Sequence, residues 1–334
     1  MLLEDKNEAV VRGLRAAFGA GEFEDIAKVT GGHTNSLVFR IVVGGVPYLL
    51  KIILRAEDPT RHYENMRAAA EADLAPRVWY TDTENRVSIT DFVKMEPLSM
   101  DEARVRMPGV LRTLHGLAPF GRAPFNTTCT FLLNKWPDID PYVERFRTLK
   151  LLPADEIAEF FDRYAELAAV YPYGDGEMVA SHNDLFKPDN ILFDGRQVWL
   201  VDWEAAFLND RYADLAVVAN QLVRNETEEC EFLRGYWGTE PDACQLARFH
   251  LMRQVSHLFY TMAFLTLGSR GNAVDMSVAV PEYGEFHQRR WAGEFDETQP
   301  EVKVQYARVH WARLLENLRH ARYKEALRIV RAGR

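Results

Sequence analysis

The sequence has few cysteines, no long apolar run and fewer positive than negative charges. Its three cysteines among 334 residues show no CxxC spacing, which argues against a zinc site or a disulfide framework. No apolar run is long enough to cross a bilayer, and the first residues turn charged without a hydrophobic signal region. The formal net charge of −9 argues against nucleic acid or an anionic membrane as the main partner. These absences predict a cytoplasmic globular protein.

Two carboxylates and a carboxamide follow strand-like segments in the second half of the chain. The run from Ser181 to Phe193 contains Asp184 and Asn190, and a hairpin over residues 191–201 would bring Asp202 back beside Asn190. Phosphoryl transfer from a metal nucleotide needs a carboxylate that orients the attacking hydroxyl and oxygen ligands that hold magnesium ions. We interpret the three side chains as candidates for these tasks. The alternative interpretation is a polar turn between two strands.

This stretch resembles the catalytic and metal-binding loops of the protein-kinase-like superfamily, in its small-molecule branch of aminoglycoside phosphotransferases and choline or ethanolamine kinases. The resemblance implies ATP and Mg2+ as cofactors, with Asn190 and Asp202 as magnesium ligands. It implies that Asp184 accepts or orients the hydroxyl proton. Lys187, inside the loop, is expected to add positive charge near the transferred phosphoryl group, unless it is simply solvated. His182 is expected to brace the loop.

The loop departs from the family pattern in its length. The family places four residues between the aspartate and the asparagine, whereas five residues separate Asp184 from Asn190. Either the loop bulges by one residue or Asp189 takes the metal position. We favour the bulge, because Asn190 directly precedes the apolar strand, as it does in the family.

Residues downstream extend the resemblance. Asp202-Trp203-Glu204 is followed by Asn209, Arg211 and Asp214, in an order similar to that of choline kinases. Glu204 is a candidate metal or substrate contact. Asp214 is expected to cap the next helix and to hold the catalytic loop through backbone hydrogen bonds.

A pattern of strand, small polar loop and strand between Val29 and Val43 predicts a hairpin that can fold over phosphates. Backbone amides and hydroxyls there can donate to anionic oxygens, and glycine permits close approach. Taken alone, a Gly-Gly pair is more often an ordinary hairpin turn. The candidate nucleotide contacts of this segment are Gly32, Thr34, Asn35 and Ser36.

A single lysine, Lys51, interrupts the apolar strand from Tyr48 to Ile53. A buried lysine needs an anionic partner or a route to solvent. The resemblance implies that Lys51 holds the α and β phosphates of the nucleotide; the alternative is an edge lysine that reaches solvent. Glu64, on a helix predicted from Thr60 to Asp73, is the favoured acid to pair with Lys51, and Glu71 is the other choice.

A further strand, Val87 to Val93, leads to a predicted lobe boundary between residues 94 and 98. The resemblance implies that this segment lines the adenine, with base contacts from backbone groups near Asp91 and Val93. We therefore predict a nucleotide-binding lobe over residues 1–95 and a catalytic and substrate-binding lobe over residues 96–334.

The segment from Val255 to Tyr260 is similar to a segment of choline kinases whose aromatic residues surround a quaternary ammonium. Tyr260 is therefore a candidate substrate contact. The aromatic box is incomplete, since Ala205 and Ala263 stand where that family has aromatic residues. Aromatic residues on such a helix are also more often part of a core.

Together these patterns predict an α+β, two-lobed protein-kinase-like fold, with a small antiparallel-sheet lobe followed by a larger, mainly helical lobe. The predicted function is ATP-dependent transfer of the γ-phosphate to a hydroxyl of a small molecule. Amino alcohols such as choline or ethanolamine come first, with aminoglycosides, other sugars or thiamine as alternatives. A catalytically inactive nucleotide-binding sensor module is the alternative from another class. A protein kinase is disfavoured, because the Asp-Phe-Gly and Ala-Pro-Glu signatures are missing from the sequence.

Overall fold

A computed structural model describes residues 6–29, 36–56, 58–121, 151–173, 178–269 and 278–333. The predicted phosphate-binding contacts Gly32, Thr34 and Asn35 lie outside these residues, and Ser36 is the first described residue after them.

A five-stranded antiparallel sheet forms the first part of the chain. Its strands are β1 (Asp25–Lys28), β2 (Ser36–Val43), β3 (Val46–Ile53), β4 (Val78–Asp82) and β5 (Val87–Asp91). They lie in the order β1-β2-β3-β5-β4. Alternate residues of the two central hairpin strands are buried, as expected for a sheet with one face on a core: Phe39, Ile41, Val43, Tyr48, Leu50 and Ile52.

A two-residue turn, Gly44-Gly45, joins β2 to β3. Both glycines have positive φ, 60° and 76°, in the tight-turn conformation that matches the right-handed twist of paired strands. Glycine adopts this conformation without a steric penalty. The turn thereby sets the register in which Val38 faces Lys51 across the hairpin.

Two helices pack beside the sheet. The first, α1 (Asn7–Phe18), buries Ala9, Val10 and Leu14 on its inner face. The second, α2 (Thr60–Glu71), follows Asp58, whose Oδ1 accepts a hydrogen bond from the backbone N–H of Thr60 at 2.9 Å. The side chain of an acidic residue thus satisfies a free amide at the predicted helix start.

The rest of the chain is mainly helical. Its helices are α3 (Met100–His115), α4 (Ala154–Val170), α5 (Arg211–Leu222), α6 (Glu226–Trp237), α7 (Ala243–Ser269), α8 (Tyr283–Trp291), α9 (Pro300–Arg319) and α10 (Ala321–Ala332). The 27-residue α7 is buried on most of its surface and packs against α5, α9 and α10. A helix with apolar residues on all sides is expected at the centre of a core.

Four short strands support the loops between the sheet and these helices. Strand β6 (Met178–Ser181) pairs with β9 (Phe207–Asp210), and β7 (Ile191–Phe193) pairs with β8 (Val198–Leu200). The predicted hairpin over residues 191–201 is therefore confirmed. Both strand pairs are antiparallel, so their loops return to the same region of the molecule.

Buried apolar side chains form two clusters. One lies between α1 and the five-stranded sheet; the other fills the helical part and also includes Tyr63, Met66 and Ala69 of α2. The predicted α+β class, a small sheet-rich part followed by a larger helical part, is confirmed. The division at residue 95 stays a prediction. Within the described ranges, no helix is both long enough and apolar enough to span a bilayer.

Candidate active site

The loop that follows β6 is held by the buried carboxylate of Asp214. The two Asp214 oxygens accept hydrogen bonds from the backbone N–H groups of His182 and Asn183, both at 2.8 Å. Burial alone raises the pKa of Asp214, but the His115 ring and the backbone of His182 stabilise the anion and bring the pKa below its ordinary value. The prediction that Asp214 holds this loop through backbone hydrogen bonds is confirmed.

The expectation that Asp214 also caps its helix is wrong. Helix α5 begins at Arg211, and its N-cap is Asp210, whose Oδ1 accepts a hydrogen bond from the backbone N–H of Tyr212 at 2.9 Å. Asp214 lies a turn farther along the helix, where its carboxylate reaches the loop instead of the free amides of the helix.

His182 braces the same loop. Its Nδ1 accepts a hydrogen bond from the backbone N–H of Asp184 at 3.3 Å, so its Nε2 carries the proton and donates to the carbonyl oxygen of Val201 at 2.9 Å. Its ring packs against Trp203 with centroids 4.7 Å apart. Both ring nitrogens are used in a fully buried side chain, which agrees with a structural role.

Asn183 connects the loop to the segment after Asp202. Its backbone is left-handed, with φ 64°, a conformation that asparagine tolerates better than most residues. Its Oδ1 accepts a hydrogen bond from Asn209 Nδ2 at 2.7 Å, and its Nδ2 donates to the carbonyl oxygen of Ala205 at 3.1 Å. Asn209, singled out in the sequence by its order after Asp202, thus fixes the residue that precedes Asp184.

The Asp184 carboxylate lies between the side chains of Lys187 and Asn190. Its Oδ2 accepts hydrogen bonds from Lys187 Nζ at 2.8 Å and from Asn190 Nδ2 at 3.1 Å. Burial raises the pKa of Asp184 above its ordinary value, although the Lys187 ammonium opposes that shift. A partly desolvated carboxylate beside a cation is suited to orienting a hydroxyl group and accepting its proton.

The catalytic loop ends in a short 3-10 turn, Pro188–Asn190, directly before β7. Asn190 is buried, and its Nδ2 also donates to the backbone carbonyl of Asp184 at 2.8 Å. Asp189, the other candidate, is exposed. The turn therefore directs Asn190 toward Asp184 and directs Asp189 outward.

Asp202 ends the β7–β8 hairpin in a left-handed conformation, with φ 66° and ψ 62°. Its Oδ1 accepts a hydrogen bond from Lys51 Nζ at 2.9 Å. Burial alone raises the pKa of Asp202, but the Lys51 ammonium outweighs this effect and lowers the pKa to about 2. The backbone N–H of Val201 donates to the carbonyl of Asn190 at 3.1 Å, which keeps Asp202 next to the catalytic loop.

Lys51 binds a second carboxylate from the same segment. Its Nζ lies 3.3 Å from Glu204 Oε1, and Arg55, just after β3, also pairs with Glu204. The cation of the sheet and the acids that follow the hairpin thus form one cluster. It consists of Lys51, Arg55, Asp202 and Glu204.

The expected pair between Lys51 and Glu64 does not form in the structure. Glu64 lies on the exposed side of α2, whereas His62, Asn65 and Met66 lie on its buried side. Residues two positions apart on a helix point in nearly opposite directions, so the helix is present as predicted but presents a different face. Glu204 supplies the carboxylate instead.

The buried face of α2 brings polar residues to this cluster that the sequence analysis missed. Asn65 Nδ2 donates to the carbonyl oxygen of Ala206 at 2.9 Å, and Arg61 contacts the carbonyl of Glu204 at 3.4 Å. His62 is buried, and burial together with the nearby Lys51 ammonium lowers its pKa to about 3. His62 and Asn65 share a helix face with buried apolar residues, and this spacing was the signal available in the sequence. The spacing does not indicate which groups these two side chains contact.

The segment expected to line the adenine leads from β5 into an exposed connection. The Asp91 side chain accepts a hydrogen bond from Trp79 Nε1 at 2.6 Å, and its backbone N–H donates to the carbonyl of Arg77 at 2.9 Å. Val93 follows the strand and is partly buried. A base contact from the segment after β5 therefore has to use backbone groups other than the Asp91 amide.

Ser36, a candidate phosphate contact, lies at the first position of β2, paired with Ile53.

Tyr260 lies in a cluster of four rings next to the catalytic loop. The rings of Phe186, Tyr260, Phe264 and Tyr306 have centroid separations between 4.7 and 6.2 Å. The guanidinium carbon of Arg290 lies 5.7 Å from the Phe186 ring and 4.9 Å from the Tyr306 ring. This aromatic cluster therefore already contains a cation of the chain itself.

A narrow cavity of about 20 Å3 lies between Tyr260 and the residues that fix the catalytic loop. Its lining includes Asn183, Asn209 and Asp214, together with Ser256, whose buried Oγ has no hydrogen-bond partner among the described residues. The volume holds a water molecule and no larger ligand. An acceptor that reaches Asp184 therefore has to bind outside this cavity, on the solvent-facing side of the catalytic loop.

The side chains near Asp184 and Asp202 offer oxygen ligands of the kind that a divalent cation such as Mg2+ prefers. In the part of the chain that the structure describes, no three or more His, Cys, Asp or Glu side chains are grouped to hold a metal. Mg2+ does not need such a cage, since it keeps several waters and takes one or two carboxylates together with phosphate oxygens. Asn190 directs its Nδ2 to Asp184, which leaves its Oδ1 for a cation, and Asp202 is ionised at neutral pH. The residues fit Mg2+ bound jointly with a nucleotide.

Solved structures with a similar fold include proteins named as choline or ethanolamine kinases and as aminoglycoside phosphotransferases. A choline/ethanolamine kinase family protein from Mesorhizobium loti has 22% identity and a TM-score of 0.65, covering 98% of this chain and 99% of that chain. An ethanolamine kinase from Plasmodium vivax has 15% identity and a TM-score of 0.56, covering 91% and 98%. Spectinomycin phosphotransferase in complex with ADP and spectinomycin has 14% identity and a TM-score of 0.56, covering 93% and 98%. The TM-scores show a shared fold, whereas identities this low show nothing beyond the fold.

Family membership follows from the sequence itself. No curated protein matches the chain significantly. The sequence model of the phosphotransferase enzyme family, however, matches residues 25–243, more than half of the chain. This range includes the sheet from β1 onward, the catalytic loop and the Asp202 segment. The chain belongs to the phosphotransferase enzyme family.

Proposed function

We propose that this protein transfers the γ-phosphoryl group of ATP, bound with Mg2+, to a hydroxyl group of a small molecule. The observation that carries the proposal is the meeting of side chains from three separate segments: Lys51, Asp184, Asn190 and Asp202. Phosphoryl transfer depends mainly on positioning and on charge, and these groups supply a cation, a proton acceptor and metal ligands. Membership of a phosphotransferase family supports the same reaction class.

Residues of the sheet are assigned to the nucleotide. Lys51 would donate to the α and β phosphates, and Ser36, together with Gly32, Thr34 and Asn35 in the segment before it, would donate to phosphate oxygens. Backbone groups between Asp91 and Val93 would contact the adenine. The similar spectinomycin phosphotransferase was solved with ADP, which supports nucleotide use by this fold.

Asn190 and Asp202 are assigned to Mg2+, which supplies positive charge at the phosphates when bound. Asp202 is suited to this because its lowered pKa keeps it ionised over the whole physiological range. Glu204 holds Lys51 and Arg55 close to that site. We assign Glu204 to positioning Lys51, and a direct substrate contact by Glu204 is not needed for the reaction.

The acceptor is assigned to Asp184. Its carboxylate would orient the acceptor hydroxyl in line with the γ-phosphorus and take its proton as the new P–O bond forms and the bond to the departing ADP oxygen breaks. Lys187, 2.8 Å from Asp184, is placed to offset negative charge on the transferred group.

Amino alcohols remain the first acceptor class, since similar structures include kinases named for choline or ethanolamine. Within this class, we propose ethanolamine ahead of choline. A quaternary ammonium is usually held by an aromatic cage, and here the aromatic cluster around Tyr260 already contains the Arg290 guanidinium. Aminoglycosides, other sugars and thiamine are the alternatives.

A coupled ADP-release assay with Mg2+ and ATP tests the proposal. The acceptors are ethanolamine, choline, thiamine, simple sugars and several aminoglycosides, and Asp184→Asn serves as the blank. We expect acceptor-dependent ADP release by the wild type and its loss in the variant. Nucleotide binding without turnover for any acceptor would favour the sensor alternative, and absence of nucleotide binding would contradict the proposal.

A further inference from the structure

Two consecutive backbone carbonyls directly after Asp184 are bound by side chains from the helical part. Gln221 Nε2, on α5, donates to the carbonyl oxygen of Leu185 at 2.9 Å. Arg290 Nη1, at the end of α8, donates to the carbonyl oxygen of Phe186 at 2.6 Å and to Gln221 Oε1 at 2.9 Å. Arg290 thus binds one carbonyl directly and fixes the amide that binds the other.

The Arg290 guanidinium is itself held on several sides. Its side chain is 3% exposed, and its Nε lies 2.6 Å from Glu297 Oε1. The Phe186 and Tyr306 rings lie against it. Its position in the last turn of α8 also favours a cation, because the carbonyl end of a helix is negative. A long side chain with this many contacts has little rotational freedom left.

The catalytic loop needs such external partners because it has an additional residue and lies outside any strand. Leu185 is fully buried, so its carbonyl requires a protein partner or a bound water. Without these contacts the backbone at residues 185 and 186 could rotate. Such a rotation would move Asp184 on one side and Lys187 on the other.

We propose that Arg290 is a positioning residue for the catalytic loop, acting on Phe186 directly and on Leu185 through Gln221. The proposal rests on the proposed function, since it assigns Arg290 to the same site. Arg290 touches neither nucleotide nor acceptor in this account. Its effect is to hold the Asp184 carboxylate and the Lys187 ammonium in the arrangement that the reaction uses.

Arg290→Ala, with Arg289→Ala as the matched control, tests this proposal. Arg289 is the preceding residue on the same helix, but it is exposed and pairs with Glu294. We expect Arg290→Ala to lower kcat about tenfold to a hundredfold, with KM for ATP changed less than about threefold. The free energy that a hydrogen bond from a charged donor contributes corresponds to a rate change of this size. The control should keep the wild-type kcat.

Chemical rescue separates positioning from general stability. Millimolar ethylguanidinium can occupy the space left in Arg290→Ala and donate to the Phe186 carbonyl, so we expect it to restore part of kcat. It should leave Arg289→Ala unchanged. Arg290→Lys should remain impaired, because lysine lacks the planar guanidinium that packs against the Phe186 and Tyr306 rings and places Nε beside Glu297.

Hydrogen exchange of the loop amides provides a readout that does not depend on an acceptor. We expect faster exchange over residues 184–190 in Arg290→Ala, unchanged exchange in α5, and recovery with ethylguanidinium. If the wild type phosphorylates no acceptor, the proposed function fails and loop exchange alone decides about Arg290. Wild-type kcat and loop exchange in Arg290→Ala, or losses that ethylguanidinium does not reverse at all, would overturn the proposal.

Discussion

Lys51 Nζ lies 2.9 Å from the Asp202 carboxylate, although 151 residues separate them in the chain. This ion pair joins the third strand of the sheet to the segment that follows the β7–β8 hairpin. Since Asp202 also lies beside Asn190 and Asp184, one contact connects the assigned phosphate-binding cation with the assigned catalytic loop.

Glu204, rather than Glu64, is predicted to position Lys51. Glu204→Gln should raise KM for ATP about threefold to tenfold, because an ion pair with a partly buried lysine contributes about 1 kcal/mol. Glu64→Gln is the matched control, and its KM for ATP should stay within about twofold of the wild type, since Glu64 faces solvent. Steady-state kinetics in ATP measures both values. The reverse ranking would restore Glu64 as the partner of Lys51.

Asn190, rather than Asp189, is predicted to bind Mg2+. Asn190→Ala should raise the Mg2+ concentration needed for half-maximal activity about tenfold or more, a size typical of losing a group at a metal site. Asp189→Ala should leave it unchanged, because this exposed side chain points away from Asp184. A Mg2+ titration at saturating ATP measures the difference. A larger effect in Asp189→Ala would mean that the longer loop uses the aspartate.

Lys187 is predicted to set the acidic limit of activity. Burial raises the pKa of Asp184 and Lys187 lowers it, so removal of the ammonium should raise the pKa further. Since Asp184 must be ionised to take a proton, Lys187→Met should move the acidic limb of the kcat/KM profile to higher pH. The dependence of kcat/KM on pH, measured for the wild type and for Lys187→Met between about pH 4 and 8, gives the position of the acidic limb. An unmoved limb would show that Asp184 does not control it.

Asp214 is predicted to stabilise the fold through its ionised form. Its folded-state pKa is lowered, so its contribution is fully present above the unfolded value of about 3.9 and is lost as pH falls through the folded pKa. Asp214→Asn should reduce the free energy of unfolding at pH 7 by about 2–4 kcal/mol, since a buried anion that accepts two backbone hydrogen bonds is removed.

Denaturant unfolding at neutral and acidic pH measures this effect. The difference between Asp214→Asn and the wild type should narrow as pH falls below the unfolded value. Asp155→Asn, at an exposed position in the first turn of α4, is the control and should change stability little. A pH-independent difference between Asp214→Asn and wild type would contradict the assigned role of the carboxylate.

The sequence predicted those parts of the site in which spacing along the chain determines position. Asp184 and Asn190 lie on one short loop, and the hairpin that returns Asp202 is closed by local turn residues. Antiparallel pairing of β7 with β8 then brings the two segments together with little help from the rest of the fold. The meeting of Asp184, Asn190 and Asp202 was predictable for that reason.

The remaining contacts depend on packing between distant elements. The sequence predicted helix α2 but not its rotation, and the rotation decides that His62 rather than Glu64 faces the site. Arg290 lies 104 residues after Phe186, and no local pattern relates the two. A basic residue such as Arg290 in the last turn of a helix is expected because it stabilises the negative helix end. Which loop Arg290 then reaches depends on how α8 packs against the rest of the fold.

The most direct test of the account is detection of the phosphorylated product itself. Phosphorus NMR of a reaction with ATP, Mg2+ and the best acceptor of the panel distinguishes a phosphomonoester from inorganic phosphate. Wild type and Asp189→Asn, which alters a neighbouring exposed carboxylate, should form the phosphomonoester, and Asp184→Asn should not. Product formation at an undiminished rate by Asp184→Asn, or inorganic phosphate as the sole product of the wild type, would contradict the assignment of Asp184 as the residue that activates the acceptor hydroxyl.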